Sequence, residues 1–542
     1  MRAGRLRLPR GHAGCAVVAA AALRPTCATQ CFFPFPPNYS QTMMSAGWDP
    51  QRLAARVLGD VRGLETHSLR EQQRTEQECV GFYAAFRQQA DADQFLASDD
   101  DKEVNGGNAC AARSAGGGAA DYLKGAGAGG EATSERQERA LRMRAQLAVT
   151  GVVDVRGRCL LVRHRHVAYL RRGLERLSSG MACLDASRPW LCYWMLHGLE
   201  LLGAPPVDLG PRCVSFLRRC HALPRETGAG AADGGNAFVS LGHGCGGFGG
   251  GPGQLSHCAP SYAAVLALCT IGTPAALAAL QDCRVALYHF YLRMKSRHCG
   301  GFRMHRDGEV DARGTYTAVA VAYLLNMLTP EFAAGAAEFL LRCQTFEGGF
   351  GGEPGNEAHG GYAFCALAAL HILGAAQRAD LKACARWVGA RQMRLEGGFQ
   401  GRANKLVDGC YSFWQGAIPA VLARCGLGSP AALLLDRERL QQYLLLCCQD
   451  VQRGGLRDKP SKHRDFYHTC YCLSGLSVAQ HGVSGAASAH DRRPVVWGSP
   501  TNLLAETDPV FNISAQKLAK AREHFASLPC SHEALLTSGG SR

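Results

Sequence analysis

Glycine pairs punctuate this chain from its middle onward at a nearly fixed interval, and that interval restricts the architecture more than any other feature. The pairs are Gly246/Gly247, Gly300/Gly301, Gly348/Gly349, Gly397/Gly398 and Gly454/Gly455, spaced by 54, 48, 49 and 57 residues. A repeat of about 50 residues means one supersecondary unit copied and stacked, because a single unit cannot bury its apolar face alone. Each unit reads alike: an apolar helix, often a glutamine just ahead of the glycines (Gln344, Gln392, Gln449), the Gly-rich loop, then a second apolar helix. "YAAVLALCTIG" from Tyr262 and "YAFCALAALHILG" from Tyr362 are such second helices, each stopped by a glycine. Period-two alternation is scarce, so the expected class is all-α, helical hairpins in series. They stack as an open solenoid or close into a ring; periodicity alone fits both.

Composition narrows the function. The chain has 542 residues, 47% of them hydrophobic, enough for a large core. No apolar run approaches the roughly 18 residues of a membrane span. The 25 cysteines follow no framework, and Cys365, Cys447 and Cys448 fall inside apolar helical patterns. Reduced thiols in a cytoplasmic protein are therefore expected. The net charge of +14 suits an anionic substrate. Nucleic acid is not expected as a partner, since there is no long Lys/Arg run and no zinc-finger spacing.

The expected organisation is an N-terminal extension over 1–48, a helical segment over 49–90, a Gly/Ala-rich low-complexity insertion over 91–140, the repeat region over 160–528 and a tail over 529–542. Met1 to Trp48 contains no acidic residue, which fits a targeting peptide, a disordered extension or an upstream start ahead of Met43 and Met44. A second Gly/Ala-rich loop runs over 226–235. The sequons at Asn38 and Asn512 read as chance matches.

Aligning the repeats on the second glycine brings chemistry together. Cys410 lies 12 residues after Gly398, and His468 lies 13 after Gly455, so both stand at the start of a second helix in adjacent repeats. Asp408 is two residues before Cys410, with Gly409 between. Asp, Cys and His from two neighbouring helix starts make a three-ligand zinc site with an open fourth position. The other reading is an N-cap, a buried thiol and a core histidine. Arg313, His359, Arg402, Lys405 and Tyr411 fall at the same level, where helix N-termini favour a diphosphate; the alternative is a solvated basic rim. Trp190, Trp194, Tyr362, Cys365, Trp414 and Tyr471 lie below, as plain core or as the lining of a tube for a hydrocarbon chain.

The stretches "LDASRPWLCYW", "GGFGGGPGQLSHCAPSYAAV", "EAHGGYAFCALAAL", "EGGFQGRANKLVDGCYSFWQ" and "RDFYHTCYCLSGLSVAQH" closely resemble the β subunits of protein farnesyltransferases. The resemblance runs from about Arg163 to Leu528, and weakly into Thr75–Phe86. It implies a closed α/α barrel paired with a helical-repeat α subunit. It also implies zinc on Asp408, Cys410 and His468. Diphosphate is expected on His359, Arg402, Lys405 and Tyr411, the catalytic group, and the farnesyl chain along Arg313, Tyr316, Tyr362, Cys365 and Trp414. The peptide is expected on Trp190, Trp194 and Tyr467, with Trp190 and Tyr471 as the floor that sets donor length. Asp458 matches the family's magnesium-linked aspartate. The implied reaction transfers farnesyl from farnesyl diphosphate to the cysteine of a C-terminal Cys-a-a-X protein. Ala403 and Gly314 depart from the family's pattern, and Gly314 is expected to loosen the loop at Arg313.

Three other readings compete. The type I geranylgeranyltransferase β subunit is the alternative enzyme; Trp190, Tyr471 and Asp458 favour the farnesyl donor over it and over the Rab-specific relative. A terpene cyclase would need a D-x-D-D motif, which the repeats lack. A scaffold with structural zinc would need a fourth protein ligand. The "DDDKE" from Asp99, similar to the metal motif of chain-elongating prenyl synthases, reads as chance in its low-complexity setting.

Overall fold

Helices build nearly the whole of the structure: several start on a polar cap, such as Thr273, Asp311, Asp380 and Asp465, and those that end at Ile271 and His481 are stopped by Gly272 and Gly482. This computed structural model describes residues 67–100, 153, 158–222, 245–428, 434–482 and 493–537. They belong to one unit, Asp60–Arg542. In chain order the labelled helices are α1 (His67–Asp100), α2 (Arg163–Glu175), α3 (Arg188–Leu201), α4 (Gly210–Cys220), α5 (Cys258–Ile271), α6 (Pro274–Met294), α7 (Ala312–Leu324), α8 (Ala336–Arg342), α9 (Gly360–Ile372), α10 (Leu381–Gly389), α11 (Tyr411–Trp414), α12 (Ile418–Leu422), α13 (Arg437–Gln442), α14 (Phe466–His481), α15 (Ala515–Ala526) and α16 (His532–Thr537), with a one-turn helix, Pro330–Ala333, between α7 and α8. Among the described residues there are isolated antiparallel bridges but no strand.

The second helices of the repeats form an inner layer: α3 packs on α5, α5 on α7, α7 on α9, α9 on α11 and α12, and α11 on α14. Helix α14 then packs back on α3, so the layer closes. This decides between solenoid and ring in favour of the ring. The inner helices are buried on nearly every side, as α5 and α14 illustrate. The shorter amphipathic helices, such as α4 and α10, cover them from outside.

The repeat signature has a mechanical reason. Gln344 donates to the carbonyls of Gly348 and Asp380 and accepts from Asp380 N–H, all at 3.0 Å. Gln392 does the same with Gly397 and Asp436. Asp380 and Asp436 are the N-caps of the next outer helices, α10 and α13. Each glutamine thus ties its Gly-rich loop to the following repeat. The first glycine of the pair has φ +100° at Gly348 and +78° at Gly397, and a Cβ there would run into the carbonyls of Ala383 and Arg439. Gln449 makes the last seam. It accepts from Val162 N–H at 3.0 Å and donates to Leu160 O at 3.1 Å, joining the final repeat to the first.

Helix α1 packs on the π-helical segment Tyr443–Cys448, and Tyr83 donates to Glu396 O at 2.5 Å. It runs on to Asp100, past the expected boundary at residue 90. The extension 1–48, most of the insertion 91–140, the loop 226–235 and the end of "DDDKE" lie outside the described residues. The tail is partly helical and docked: Tyr288 Oη and His532 Nδ1 are 2.6 Å apart. Asn512 is 2% exposed, so its sequon is no glycosylation site. No helix among the described residues is long and apolar enough to cross a membrane.

Candidate active site

The loops ahead of α11 and α14 are joined at the backbone, since Gly409 N–H donates to Asp458 O at 2.6 Å. A Cβ at Gly409 would strike Cys472 Sγ and the Arg457 carbonyl, so close approach, rather than a turn with positive φ, calls for glycine here. This contact brings Asp408, Cys410 and His468 together: their ligand atoms lie within 4.8 Å of one another, and all three side chains are buried. Asp408 Oδ1 also accepts from Cys410 N–H at 2.8 Å, which fixes the carboxylate.

His468 Nε2 is buried without a hydrogen-bond partner and lies 3.3 Å from Asp408 Oδ1. Its Nδ1 faces Asp465 Oδ2 at 2.6 Å, and Asp465 caps α14 by accepting from His468 N–H at 2.7 Å. Burial opposes charge on this imidazole, yet Asp465 and Asp408 hold its pKa well above the usual histidine value. These three side chains could hold a metal ion. A carboxylate, a thiol and an imidazole on a shared centre form a donor set that fits zinc, and the three leave a fourth position open.

On the same rim, His359 caps α9: its Nδ1 accepts from Gly361 N–H at 3.1 Å. That assigns the imidazole proton to Nε2, which lies 3.0 Å from Tyr411 Oη. The phenol therefore accepts from His359 and turns its own O–H elsewhere. Arg402 pairs with Glu357 at 2.6 Å on the partly exposed rim, and Lys405 is exposed beyond Asn404, whose φ is +58°.

Arg313 does not belong to a solvated rim. It is 4% exposed, bound to Asp311 at 2.5 Å and Glu309 at 3.3 Å, and lies over the Tyr362 ring at 5.3 Å. Burial opposes its charge, but Asp311 and its other neighbours raise its pKa. Gly314 does not loosen this segment: it sits in the first turn of α7, where a Cβ would run into the Phe302 carbonyl. Asp458 pairs with Lys459 at 2.7 Å, and burial, with Asp408 nearby, pushes its pKa up.

Inside the ring the aromatic residues form a closed circuit. Tyr262, Tyr316, Phe364, Trp414, Tyr471, Tyr467, Trp194 and Trp190 follow one another and return to Tyr262, with centroids between 4.5 and 5.8 Å apart. Helices α3, α5, α7, α9, α11 and α14 all contribute. Trp414 Nε1 donates to Tyr467 Oη at 3.1 Å, and Cys365 is buried beside Phe364 on α9.

The sequence reading missed Asp465, Glu357, Phe364 and Lys459. Asp465 had a signal: an acidic residue three positions before His468 at a helix start is an N-cap pattern. Glu357 and Phe364 had none, since their partners stand in another repeat.

Residues 161–513 match the family described as the prenyltransferase alpha-alpha toroid domain. The chain is 41% identical to protein farnesyltransferase subunit beta from Pisum sativum over 401 residues, covering 63% of this chain and 90% of the relative. For the Arabidopsis thaliana farnesyltransferase subunit beta the identity is 38%, with 67% and 82% covered. The geranylgeranyl transferase type-1 subunit beta from Arabidopsis thaliana is 28% identical, with 58% and 84% covered. A Candida albicans protein geranylgeranyltransferase-I structure complexed with GGPP shares the fold, with a TM-score of 0.54 and 20% identity, over 67% of this chain and 99% of that one. The chain belongs to the protein farnesyltransferase β-subunit family and has the prenyltransferase α–α toroid fold.

Proposed function

We propose that this chain is the catalytic β subunit of a zinc-dependent protein farnesyltransferase, acting with an α subunit on proteins that end in Cys-a-a-X. The buried Asp408–Cys410–His468 group at one end of a closed aromatic ring carries the reading. Asp408, Cys410 and His468 would hold the zinc, which when bound would stabilise the deprotonated substrate cysteine near neutral pH.

The chain's own residues do the rest. The aromatic circuit excludes water and holds the isoprenoid of farnesyl diphosphate, with Tyr316, Tyr362, Cys365 and Trp414 along the chain. Arg313 lies along the isoprenoid as well, over the Tyr362 ring at 5.3 Å. Trp190, Trp194 and Tyr467 receive the peptide, and Trp190 with Tyr471 closes the deep end. Tyr411, oriented by His359, directs its hydroxyl at the diphosphate. Arg402 and Lys405 stabilise the negative charge that builds on the leaving group. The α subunit contributes a further cation, and Asp458, paired here with Lys459, is the residue that would hold magnesium. The higher identity to farnesyl-transferring than to geranylgeranyl-transferring relatives supports the shorter donor. We place it in the cytoplasm, where thiols buried in helical segments, such as Cys365, Cys447 and Cys448, stay reduced.

Metal analysis and single-turnover kinetics of the heterodimer test this. One zinc per β subunit is expected, lost in Cys410→Ala and in His468→Ala. Lys405→Ala should keep its zinc and slow transfer by roughly 10- to 1000-fold. Stoichiometric zinc in both ligand variants, or an unchanged Lys405→Ala rate, overturns the assignment.

A further inference from the structure

Three consecutive carbonyls near the C-terminus each meet a tyrosine hydroxyl from a different inner helix. Tyr316 of α7 donates to Val510 O at 2.6 Å, Tyr262 of α5 lies 3.5 Å from Phe511 O, and Tyr193 of α3 donates to Asn512 O at 2.6 Å. Tyr262 and Tyr316 also bond each other at 2.9 Å. Both belong to the aromatic circuit, and Tyr193 stacks edge-on against Trp190 at 6.0 Å. One flank of the circuit is thus fixed by a single loop, 507–514.

That loop is rigidly built. Asp508 Oδ1 accepts from Val510 N–H at 2.8 Å and from Phe511 N–H at 3.0 Å, while Asp508 Oδ2 pairs with Arg424 at 2.7 Å. Phe511 stacks on Tyr323 at 5.4 Å, and Asn512 Oδ1 lies 3.0 Å from His197 Nε2. Val510, Phe511 and Asn512 are all at most 5% exposed. Tyr323 and His197 lie toward the C-terminal ends of α7 and α3, and Arg424 just past the C-terminal end of α12, whereas Asp408, Cys410 and His468 stand at helix N-termini. The loop plugs the ring from the end opposite the proposed zinc site.

We propose that the 507–514 loop determines donor length, by holding the Tyr262 and Tyr316 rings at a fixed depth beneath the isoprenoid. The inference rests on the reading of the aromatic circuit as the isoprenoid tube. Trp190 and Tyr471 then supply bulk, and the loop supplies the immobility without which bulk does not exclude a longer chain. Asp508 and Arg424 act as positioning residues, since neither touches the circuit.

The test is binding and turnover of C10, C15 and C20 isoprenoid diphosphates by the zinc-loaded heterodimer, wild type against Asp508→Asn, Arg424→Met and Tyr316→Phe. Asp508→Asn retains the Oδ1 acceptor and removes only the charged anchor, so it is the variant least expected to unfold. The expected result is a rise of about fivefold in C20 over C15 preference, the size of one lost hydrogen bond, with the peptide KM unchanged in Asp508→Asn and Arg424→Met. An unchanged C20:C15 ratio in folded Asp508→Asn and Tyr316→Phe overturns the inference while leaving the activity standing. A wild type that binds none of the three diphosphates overturns the underlying reading instead. Equal weakening of all three lengths shows a merely structural loop, and also overturns the inference.

Discussion

Asp465 Oδ2 lies 2.6 Å from His468 Nδ1, while Asp465 Oδ1 accepts from the His468 backbone N–H at 2.7 Å. One carboxylate therefore starts α14 and aims the imidazole. Asp465→Asn keeps the cap, because asparagine caps as well as aspartate, and removes the negative charge behind the ring. Zinc affinity is expected to fall about 10- to 100-fold, with little change in thermal stability of the metal-free protein. Competition against a chelator measures it. A large loss of stability with unchanged zinc affinity would make Asp465 a cap and nothing more.

Glu357 holds Arg402 at 2.6 Å in a partly exposed pair. A diphosphate must take Arg402 from that carboxylate. Glu357→Gln is expected to tighten donor binding by less than about 1 kcal/mol, in keeping with an exposed pair, and the gain should shrink with added salt. Weaker donor binding in this variant would mean that Glu357 orients Arg402 rather than competing for it.

The seam that closes the ring should cost more to cut than the seams within it. Gln449 is 5% exposed, serves Val162, Leu160 and Leu445, and faces His166 Nε2 at 2.9 Å. Gln449→Leu leaves buried backbone groups of the first repeat unpaired and is expected to cost about 3 kcal/mol. Gln344→Leu, whose partners are more exposed, should cost about 1 kcal/mol. Equal losses in chemical denaturation would show that closure adds no stability.

Burial pushes the pKa of His166 and of His197 down to about 4. His166 also accepts from Gly455 N–H at 2.8 Å, which requires the neutral ring. As pH falls below the ordinary histidine value of about 6.5, the unfolded chain takes up protons at these sites and the folded protein does not until about 4. The unfolded state then binds more protons, so stability falls with pH, by about 1.4 kcal/mol per unit for each histidine. Unfolding midpoints between pH 7 and 4 should show a shallower acid limb in His166→Gln than in wild type. Parallel limbs would contradict burial of a neutral imidazole there.

The glycine period and the apolar second helices were enough to read the class, because stacking leaves the same trace in every repeat. Closure was not legible, since the seam at Gln449 uses the same residue as the open seams at Gln344 and Gln392 and differs only in its partner. Asp408, Cys410 and His468 could be aligned from spacing because they share one level of adjacent repeats. Arg313 was aligned by the same rule and does stand at a helix start, in the first turn of α7; only its burial between Asp311, Glu309 and the Tyr362 ring was not legible, because spacing does not report side-chain partners. The tyrosine contacts to Val510, Phe511 and Asn512 join segments that follow no repeat, so no period could reveal them.

The most direct test of the central claim is a donor competition. The chain is produced with an α subunit and given a Cys-a-a-X peptide with equal farnesyl and geranylgeranyl diphosphates, and the peptide product is weighed by mass spectrometry. A farnesyl thioether that disappears on zinc chelation and returns when zinc is restored is the expected product. Geranylgeranyl product in excess, or farnesyl product that persists in metal-free protein, would contradict it.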